Sequence, residues 1–211
     1  MGIAESGVYG PMIGKVGQVV WYKLKGQTVA RGVGDRIAPK TANEIKAGKK
    51  HRELIEFFKR TQEFIRRGFT GAAMDTKYNY HNLAMSYNRA NAMNPSNEVA
   101  EILYEKVLLS QGNLLVPQNP SVAVVGSSLQ FSWEYPSDSG FEYRNNRVML
   151  LVYFPDEHNS HTELSGAKRA ELTDSLNLHP TELTKTMHVY MAFGAHDSLD
   201  VSDSVYVGRI N

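Results

Sequence analysis

Residues 121–135 read SVAVVGSSLQFSWEY, and residues 147–154 read RVMLLVYF. Both stretches are rich in β-branched, aromatic and aliphatic residues, which is typical of strands. In the first stretch Leu129, Phe131 and Trp133 occupy alternate positions, so one face of a strand carries all three. These residues are the predicted core of a β-sheet structure.

Similar runs recur through the C-terminal part of the chain. Strands are predicted over residues 121–125, 128–135, 147–154, 187–193 and 202–207, with weaker candidates over residues 161–164 and 169–172. Seven short strands at this spacing favour a β-sandwich of the immunoglobulin or fibronectin kind. The chain has no cysteine pair that could mark a true immunoglobulin domain.

The N-terminal part predicts a β-hairpin. Residues 16–24 are rich in valine and aromatic residues, and Lys25-Gly26 is a turn signal. Residues 27–33 continue as a second strand, and glycines punctuate the whole segment.

A long basic helix is predicted to follow the hairpin. Thr41 and Glu44 have the spacing of a capping box, in which each side chain satisfies an exposed backbone N–H. The helix is expected to run to about Arg67 and to end at Gly68. One face is predicted to be buried, because its apolar residues have helical spacing: Leu54, Phe57, Phe58 and Ile65.

A second helix is predicted over about residues 77–93, where Asn94-Pro95 breaks the pattern. The next segment, residues 101–109, fits a helix or a strand by its periodicity.

Together these elements predict an α+β protein, with an N-terminal β-hairpin plus two helices followed by a C-terminal immunoglobulin/fibronectin-like β-sandwich. Two domains are expected: a basic hairpin-plus-helices module over residues 1–112 and the sandwich over residues 113–211. The boundary is placed there because residues 112–120 hold two prolines and two asparagines, as a linker does.

Charge is divided unevenly along the chain. Residues 1–70 carry 14 Lys+Arg against 6 Asp+Glu, and residues 71–211 carry 9 against 16. The balances of +8 and −7 sum to the net charge of +1. Because a surface of one sign attracts the opposite sign, the predicted partner is a polyanion or another copy of the chain.

The candidate partner-binding residues are the cations of the basic half together with one aromatic side chain. On the hairpin, aromatic residues alternate with lysines as they do on nucleic-acid-binding surfaces, although Trp21 and Tyr22 should point to opposite faces of a strand. The full predicted set is Lys15, Trp21, Lys23, Lys25, Arg31, Lys49, Lys50, Arg52, Lys59, Arg60, Arg66 and Arg67.

No motif for catalysis or for a cofactor stands out. The sequence lacks a Walker A motif, a G-x-G-x-x-G fingerprint, a G-x-S-x-G elbow and any cysteine. His158 and His161 are weak metal-ligand candidates beside Asp156 and Glu157, but a polar turn between strands is the favoured interpretation. We therefore predict no catalytic residue, no cofactor and no enzymatic activity.

The first residues lack the basic and apolar regions of a secretory signal peptide, and no apolar run approaches 18 residues. We expect a protein without a membrane span, located in the cytoplasm or in an assembled particle.

Three parts of the sequence together resemble a known family. They are Gly14-Lys15-Val16-Gly17 with Gly26 and Arg31, the central residues 107–112, and a C-terminal group at residues 152–153, 188–190 and 204–208. As a set they are similar to DUF6266, a family of Bacteroidota proteins of unknown function, over nearly the whole chain. The resemblance implies a bacterial or phage origin and carries over no catalytic residue.

The predicted function is that of a non-enzymatic structural or interaction protein that self-associates. The basic N-terminal surface of one copy is expected to meet an acidic C-terminal surface of the next, which builds a ring or a filament. One alternative is nucleic-acid binding by the basic hairpin and helix over residues 15–67. Another is a structural role in a phage or phage-like particle.

Overall fold

A computed structural model shows the fold and describes residues 2–4, 10, 12–24, 27–34, 38–74, 76–95, 100–135 and 141–211. The chain divides into two compact units, residues 1–41 and residues 42–211. Among the described residues, no helix has both the length and the apolar character that a membrane crossing requires.

The N-terminal unit is an antiparallel sheet whose strands follow one another in chain order. They are β1 (Gly2–Ala4), β2 (Met12–Val16), β3 (Val19–Leu24) and β4 (Gln27–Gly32). Strands β3 and β4 confirm the predicted hairpin, and the predicted turn Lys25-Gly26 lies outside the described residues. The predicted start of the first strand at Val16 is wrong, because Gly17-Gln18 form a tight turn in which Gly17 has a φ of +58°.

No described side chain of the N-terminal sheet is fully buried. The apolar residues Ile13, Val20, Trp21 and Tyr22 are all half-buried, and the cations are exposed. A sheet gains stability when a second layer covers one of its faces. This unit therefore keeps apolar surface available for such a layer.

The larger unit begins with three helices, α1 (Ala42–Arg60), α2 (Gln62–Ala73) and α3 (Tyr80–Asn91). Helix α1 starts directly after Thr41, where the capping-box pattern places it. The prediction of one helix as far as Arg67 is wrong, because the helix breaks at Thr61, whose φ is −102° and ψ 15°. Thr61 is buried and its hydroxyl donates to the carbonyl oxygen of Phe57 over 3.1 Å, which fixes the break inside the core.

Gly68 lies inside α2, so the prediction that a helix ends at this glycine is wrong. A Cβ at this position would lie far inside van der Waals contact with the carbonyl oxygen of Leu109 and with Ser110. The carbonyl of Gly68 accepts a hydrogen bond from the N–H of Gln111 over 3.0 Å. The glycine is therefore required by the close approach of α2 to this segment.

Helix α3 is shorter than predicted at both ends. Asn79 is its N-cap residue. The side-chain oxygen of Asn79 accepts a hydrogen bond from the backbone N–H of Asn82 over 2.8 Å, which stabilises the first turn of the helix. The side-chain amide of Asn88 is buried and bonds twice to the backbone of Leu108. Its Nδ2 atom donates to the carbonyl oxygen of Leu108 over 2.8 Å, and its Oδ1 atom accepts a hydrogen bond from the N–H of Leu108 over 2.9 Å. Residues 101–109, ambiguous by periodicity, are held in this way and contain one 3-10 turn at Tyr104–Lys106.

The rest of the larger unit is a sandwich of two antiparallel sheets. Its strands are β5 (Gln118–Val125), β6 (Ser128–Glu134), β7 (Arg147–Phe154), β8 (Asn159–Glu163), β9 (Thr173–Asn177), β10 (Met187–Gly194) and β11 (Val205–Ile210). One sheet has the order β5-β6-β9 and the other β11-β10-β7-β8. The sheet of β5, β6 and β9 thus faces the sheet of the other four strands, and the predicted α+β fold class is confirmed.

Two strand predictions need correction. Residues 169–171 form a short 3-10 helix, after which β9 begins, and the last strand begins at Val205. Arg169 is fully buried, and its guanidinium lies 3.6 Å from the centre of the Phe193 ring. Its carbonyl oxygen accepts the indole N–H of Trp133 over 2.7 Å. These contacts come from residues distant in sequence, so the local pattern does not reveal them.

Strands β7 and β10 form the buried centre of the larger unit, with side chains buried on both faces from Val148 to Phe154 and from Met187 to Gly194. One face packs against the helices through Met149, Leu151, Tyr153, Tyr190 and Ala192, which share a core with Leu54, Phe57, Phe64 and Phe69. The other face contributes Val148, Leu150, Val152, Val189, Met191 and Phe193 to a core with Leu129, Phe131 and Trp133. The unit therefore has three layers: helices, a central sheet and an outer sheet.

The compact units divide after Thr41, whereas the sequence predicts a domain boundary after residue 112. The helices belong with the sandwich because both contribute to one hydrophobic core. The predicted linker is also bonded into this unit, since the N–H of Leu114 donates to the carbonyl of Val201 over 3.1 Å.

The packing of α2 generates a stability prediction. Gly68→Ala should lower the free energy of unfolding by about 2 kcal/mol or more, because the added methyl group overpacks a rigid backbone contact. The matched control is Gly48→Ala in α1, where a Cβ meets nothing within 4 Å. That variant should gain about 0.5–1 kcal/mol from helix propensity. Urea unfolding measures both, and equal effects would contradict the packing role of Gly68.

Candidate partner-binding surfaces

The register of the N-terminal sheet sorts its predicted binding residues onto two faces. Lys15 and Arg31 both lie opposite Val20, so these three residues form one cross-strand row. Lys23 is three positions further along β3 and belongs to the other face. All three cations are exposed, and Lys25 lies outside the described residues.

The two aromatic residues also separate, as their adjacent positions predict. Tyr22 lies two residues from Val20 and shares the face of Lys15 and Arg31. Trp21 lies on the other face and is paired with Gly14 on β2 and Ala30 on β4. The aromatic residue that accompanies the Lys15–Arg31 row is therefore Tyr22, whereas the sequence-based set contained Trp21.

The remaining predicted cations lie on the first two helices of the larger unit. Lys49, Arg52, Lys59, Arg60 and Arg66 are exposed on α1 and α2. Lys59 forms an ion pair of 2.7 Å with Glu56, one turn before it. Lys50 is half-buried, and its ammonium donates to the carbonyl of Asn94 over 2.7 Å.

Arg67 has a partner within its own unit. Its guanidinium donates to the carbonyl oxygens of Ala195, Ser198 and Leu199 over 3.1, 3.1 and 2.9 Å. Burial lowers the pKa of this guanidinium, and the carboxylate of Asp200 opposes that change. Arg67 therefore holds the β10–β11 connection against α2, a role that its basic character alone does not indicate.

This role predicts different outcomes for two neighbouring arginines. Arg67→Lys keeps the positive charge but loses the planar guanidinium that donates to three carbonyl oxygens. It should therefore lower the free energy of unfolding by about 1–2 kcal/mol and increase the rate of amide hydrogen exchange over residues 195–200. Arg66→Lys changes an exposed side chain and should cost less than about 0.5 kcal/mol. Hydrogen exchange measured by mass spectrometry distinguishes the two variants. Equal exchange rates over residues 195–200 in both variants would contradict the proposed role of Arg67 in holding this connection.

The acidic residues of the β10–β11 connection border a cleft of about 970 Å³ beside α2 and α3. Asp200 and Asp203 line it together with polar and apolar residues, among them the exposed side chains of Met74 and Leu199. Asp203 accepts the N–H of Gly112 over 3.0 Å, which anchors the wall of the cleft. The cleft thus combines carboxylates with apolar surface at its rim.

The outer face of the sandwich is nearly uncharged, although the C-terminal part of the sequence is acidic. Its cross-strand rows are Ser121–Ser132–Thr173, Ala123–Gln130–Ser175 and Val125–Ser128–Asn177. Glu134, the last residue of β6, is exposed on this face. Other exposed carboxylates lie on turns, such as Asp156 and Glu157 after β7 and Asp197 after β10. Among the described residues of the sandwich, the exposed acidic groups therefore lie mainly in loops.

The structure separates the two weak metal-ligand candidates. His158 lies in the turn before β8, with its Nδ1 atom 3.4 Å from the hydroxyl of Tyr153. The Nε2 atom of His161 lies 2.8 Å from a carboxylate oxygen of Glu182. Across the described residues, no group of three or more His, Asp and Glu side chains is placed to hold one metal ion.

A buried histidine lies where the sequence predicts an ordinary strand residue. His188 in β10 is 9% exposed, stacks on Tyr104 at 3.9 Å between ring centres and shares a hydrogen bond of 2.9 Å with the hydroxyl of Tyr206. Burial lowers its pKa from 6.5 to about 4, with a further lowering by Arg209 and an opposing effect of Glu105. The folded protein therefore keeps this imidazole neutral.

The lowered pKa of His188 predicts acid sensitivity. Between about pH 6.5 and pH 4 the unfolded chain binds a proton that the folded chain does not, so stability falls as the pH decreases through this window. From pH 7.5 to pH 5, the wild type should lose about 2 kcal/mol more than His188→Phe, which cannot bind the proton. As a control, His196→Gln changes an exposed histidine and should show the same pH dependence of urea unfolding as the wild type. If His188→Phe also showed that pH dependence, His188 would not be the source of the acid sensitivity.

The sequence was compared with known proteins. A model of the family of unknown function DUF6266 matches residues 11–208, which is nearly the whole chain. A search of curated proteins returned no match. The match spans both the N-terminal sheet and the three-layered unit, so the chain belongs to the DUF6266 family.

Proposed function

We propose that this chain is a non-enzymatic, self-associating structural protein in which the N-terminal sheet of one copy contacts an acidic surface of another. The observation that carries the proposal is the state of that sheet, in which no described side chain is fully buried and the cations are exposed. A sheet of this kind becomes stable by burying a face against a partner surface.

The composition of the sheet indicates the character of the partner surface. One face combines Lys15 and Arg31 with the half-buried apolar side chains of Val20 and Tyr22. A complementary surface offers carboxylates next to exposed apolar groups. Such complementarity fixes the orientation of two proteins and raises their rate of association more than their affinity.

The acidic cleft of the larger unit has this composition. Asp200 and Asp203 line it, Asp197 lies exposed in the same connection, and Met74 and Leu199 contribute apolar surface. Contact between the sheet of one copy and the cleft of the next joins unlike surfaces. Repetition of that contact yields a closed ring or an open filament, the form that a component of a phage or phage-like particle also takes.

Two histidines and two serines are held by partners within the fold, which supports a non-enzymatic role. His161 bonds to Glu182, and His188 is enclosed by tyrosine rings. Ser202 and Ser204 use their hydroxyls to bind the backbone N–H groups of Phe193 and Leu109. These groups stabilise the fold in the positions where they lie.

Sedimentation velocity of the full chain over a range of concentrations and salt tests the proposal. The wild type should associate at low salt and dissociate at high salt, because screening weakens contacts between charged surfaces. Lys15→Glu with Arg31→Glu should reduce association at least tenfold, and so should Asp197→Lys with Asp200→Lys. A control that reverses the exposed Lys106 and Lys168 should behave as the wild type.

Mixing the two reversed variants makes the test specific. Each lacks one of the two surfaces, so each alone should sediment as a monomer, whereas their mixture restores an unlike pair and should associate. A wild type that remains monomeric at every salt and concentration would overturn the proposal. So would a mixture that sediments as its separate components.

Nucleic-acid binding by residues 15–67 is the alternative proposal, favoured by the position of Tyr22 on the face of Lys15 and Arg31. A base could stack on the tyrosine while the cations bind phosphates. This alternative predicts a complex with single-stranded DNA at low salt whose affinity falls steeply as salt is added. Absence of a complex at low salt in a gel-shift assay excludes it.

A further inference from the structure

A small concavity lies between the first half of α1 and the second half of α3. Its volume is about 200 Å³, and it is lined by Asn43, Lys46, Ala47, Lys50 and Arg89. Three of these five residues are cations and none is acidic. Both helices belong to the larger unit, so one compact unit builds the whole concavity.

The two lysines occupy the packed side of α1. Positions 43, 46, 47 and 50 share one helical face, and the same stripe continues into the fully buried Leu54, Phe57 and Phe58. Lys46 and Lys50 are accordingly half-buried, where apolar residues would extend the core. The position of these lysines is not that of an ordinary solvated helix surface.

This arrangement is unfavourable without a counter-ion. Lys46 and Lys50 are four residues apart on one helix, a spacing at which like charges repel. Arg89 adds a third cation from α3. Among the described residues, none of the three cations forms an ion pair. Arg89 is exposed, but Lys46 and Lys50 are half-buried, and their partial burial increases the repulsion between them because less water is present to screen it.

The surroundings orient one of the ammonium groups. Lys50 donates to the carbonyl oxygen of Asn94 over 2.7 Å, which fixes the position of its Nζ atom. The carboxylate of Glu101 lies nearby but accepts the side-chain amide of Asn94 over 2.9 Å, and it does not line the concavity. The first turn of α1 adds the positive end of a helix dipole, and the acidic residue of that turn, Glu44, does not line the concavity.

We propose that this concavity, the Lys46–Lys50–Arg89 pocket, binds a phosphate group. A phosphate monoester carries about −1.5 to −2 charges and several acceptor oxygens, which matches three cations better than a single carboxylate does. Arginine binds phosphate oxygens through two parallel N–H groups, and lysine acts as a point charge. The pocket shares no residue with the sheet or with the cleft of the proposed self-association, so the two proposals can be tested independently.

Binding of inorganic phosphate to the full chain tests the pocket directly. Isothermal titration in buffers of matched ionic strength should show saturable binding of phosphate, with no equivalent heat from chloride. Lys46→Gln and Arg89→Gln should each raise the dissociation constant at least tenfold. Lys168→Gln is the control, because Lys168 is exposed and does not line the pocket, and it should change the constant less than twofold.

Circular dichroism checks that each variant is folded. Lys46 lies on α1 and Arg89 on α3, so if one variant fails to fold, the other still tests the pocket. Absence of saturable phosphate binding by the wild type overturns the proposal. An equal loss of affinity in Lys168→Gln also overturns it, because the effect would then reflect overall charge.

A competition arm identifies the source of the phosphate group. If the phosphate belongs to a nucleic acid, a single-stranded oligonucleotide should displace inorganic phosphate from the wild type, and Arg89→Gln should bind the oligonucleotide more weakly than Lys168→Gln does. If it belongs to a small molecule, a nucleoside monophosphate should compete and the oligonucleotide should not. Either result supports the proposed pocket. If the oligonucleotide or the nucleoside monophosphate competed with inorganic phosphate equally well in Arg89→Gln and in the wild type, the proposal would be contradicted.

Discussion

The burial of β7 and β10 on both faces is the constraint on which the larger unit depends. Each strand supplies alternate side chains to two cores, one shared with the helices and one shared with the outer sheet. Neither neighbouring layer can be removed without exposing a continuous apolar surface of the central sheet. The helices therefore stabilise the sandwich and belong to the same compact unit, even though they precede it by a long stretch of sequence.

Local patterns predict the elements of this structure better than they predict its contacts. The alternation of Leu129, Phe131 and Trp133 identifies the inner face of β6, and the apolar runs at residues 147–154 and 187–193 identify the central strands. The role of Gly68 and the turn at Arg169 both depend on partners far away in the chain. A single sequence shows which residues are apolar or small, but it does not show what packs against them.

The candidate surfaces show the same limit. Sequence identifies the cations, but it does not separate Arg67, which binds three backbone carbonyls, from its exposed neighbour Arg66. It also misses the pocket formed with Arg89, because that residue reaches it from α3, outside the basic half of the chain. Strand register was needed to show that Tyr22, and not Trp21, accompanies Lys15 and Arg31. The uneven charge of the sequence is thus resolved into a basic sheet, a basic helical surface and acidic loops.

The central functional claim is that the N-terminal sheet is completed by another copy of the chain. Hydrogen exchange of the full-length protein, measured at low salt over a thousandfold range of concentration, tests this claim most directly. Amides of β2, β3 and β4 should become protected as concentration rises, while those of β7 and β10 are protected throughout. Protection of the N-terminal strands that does not change with concentration would contradict it.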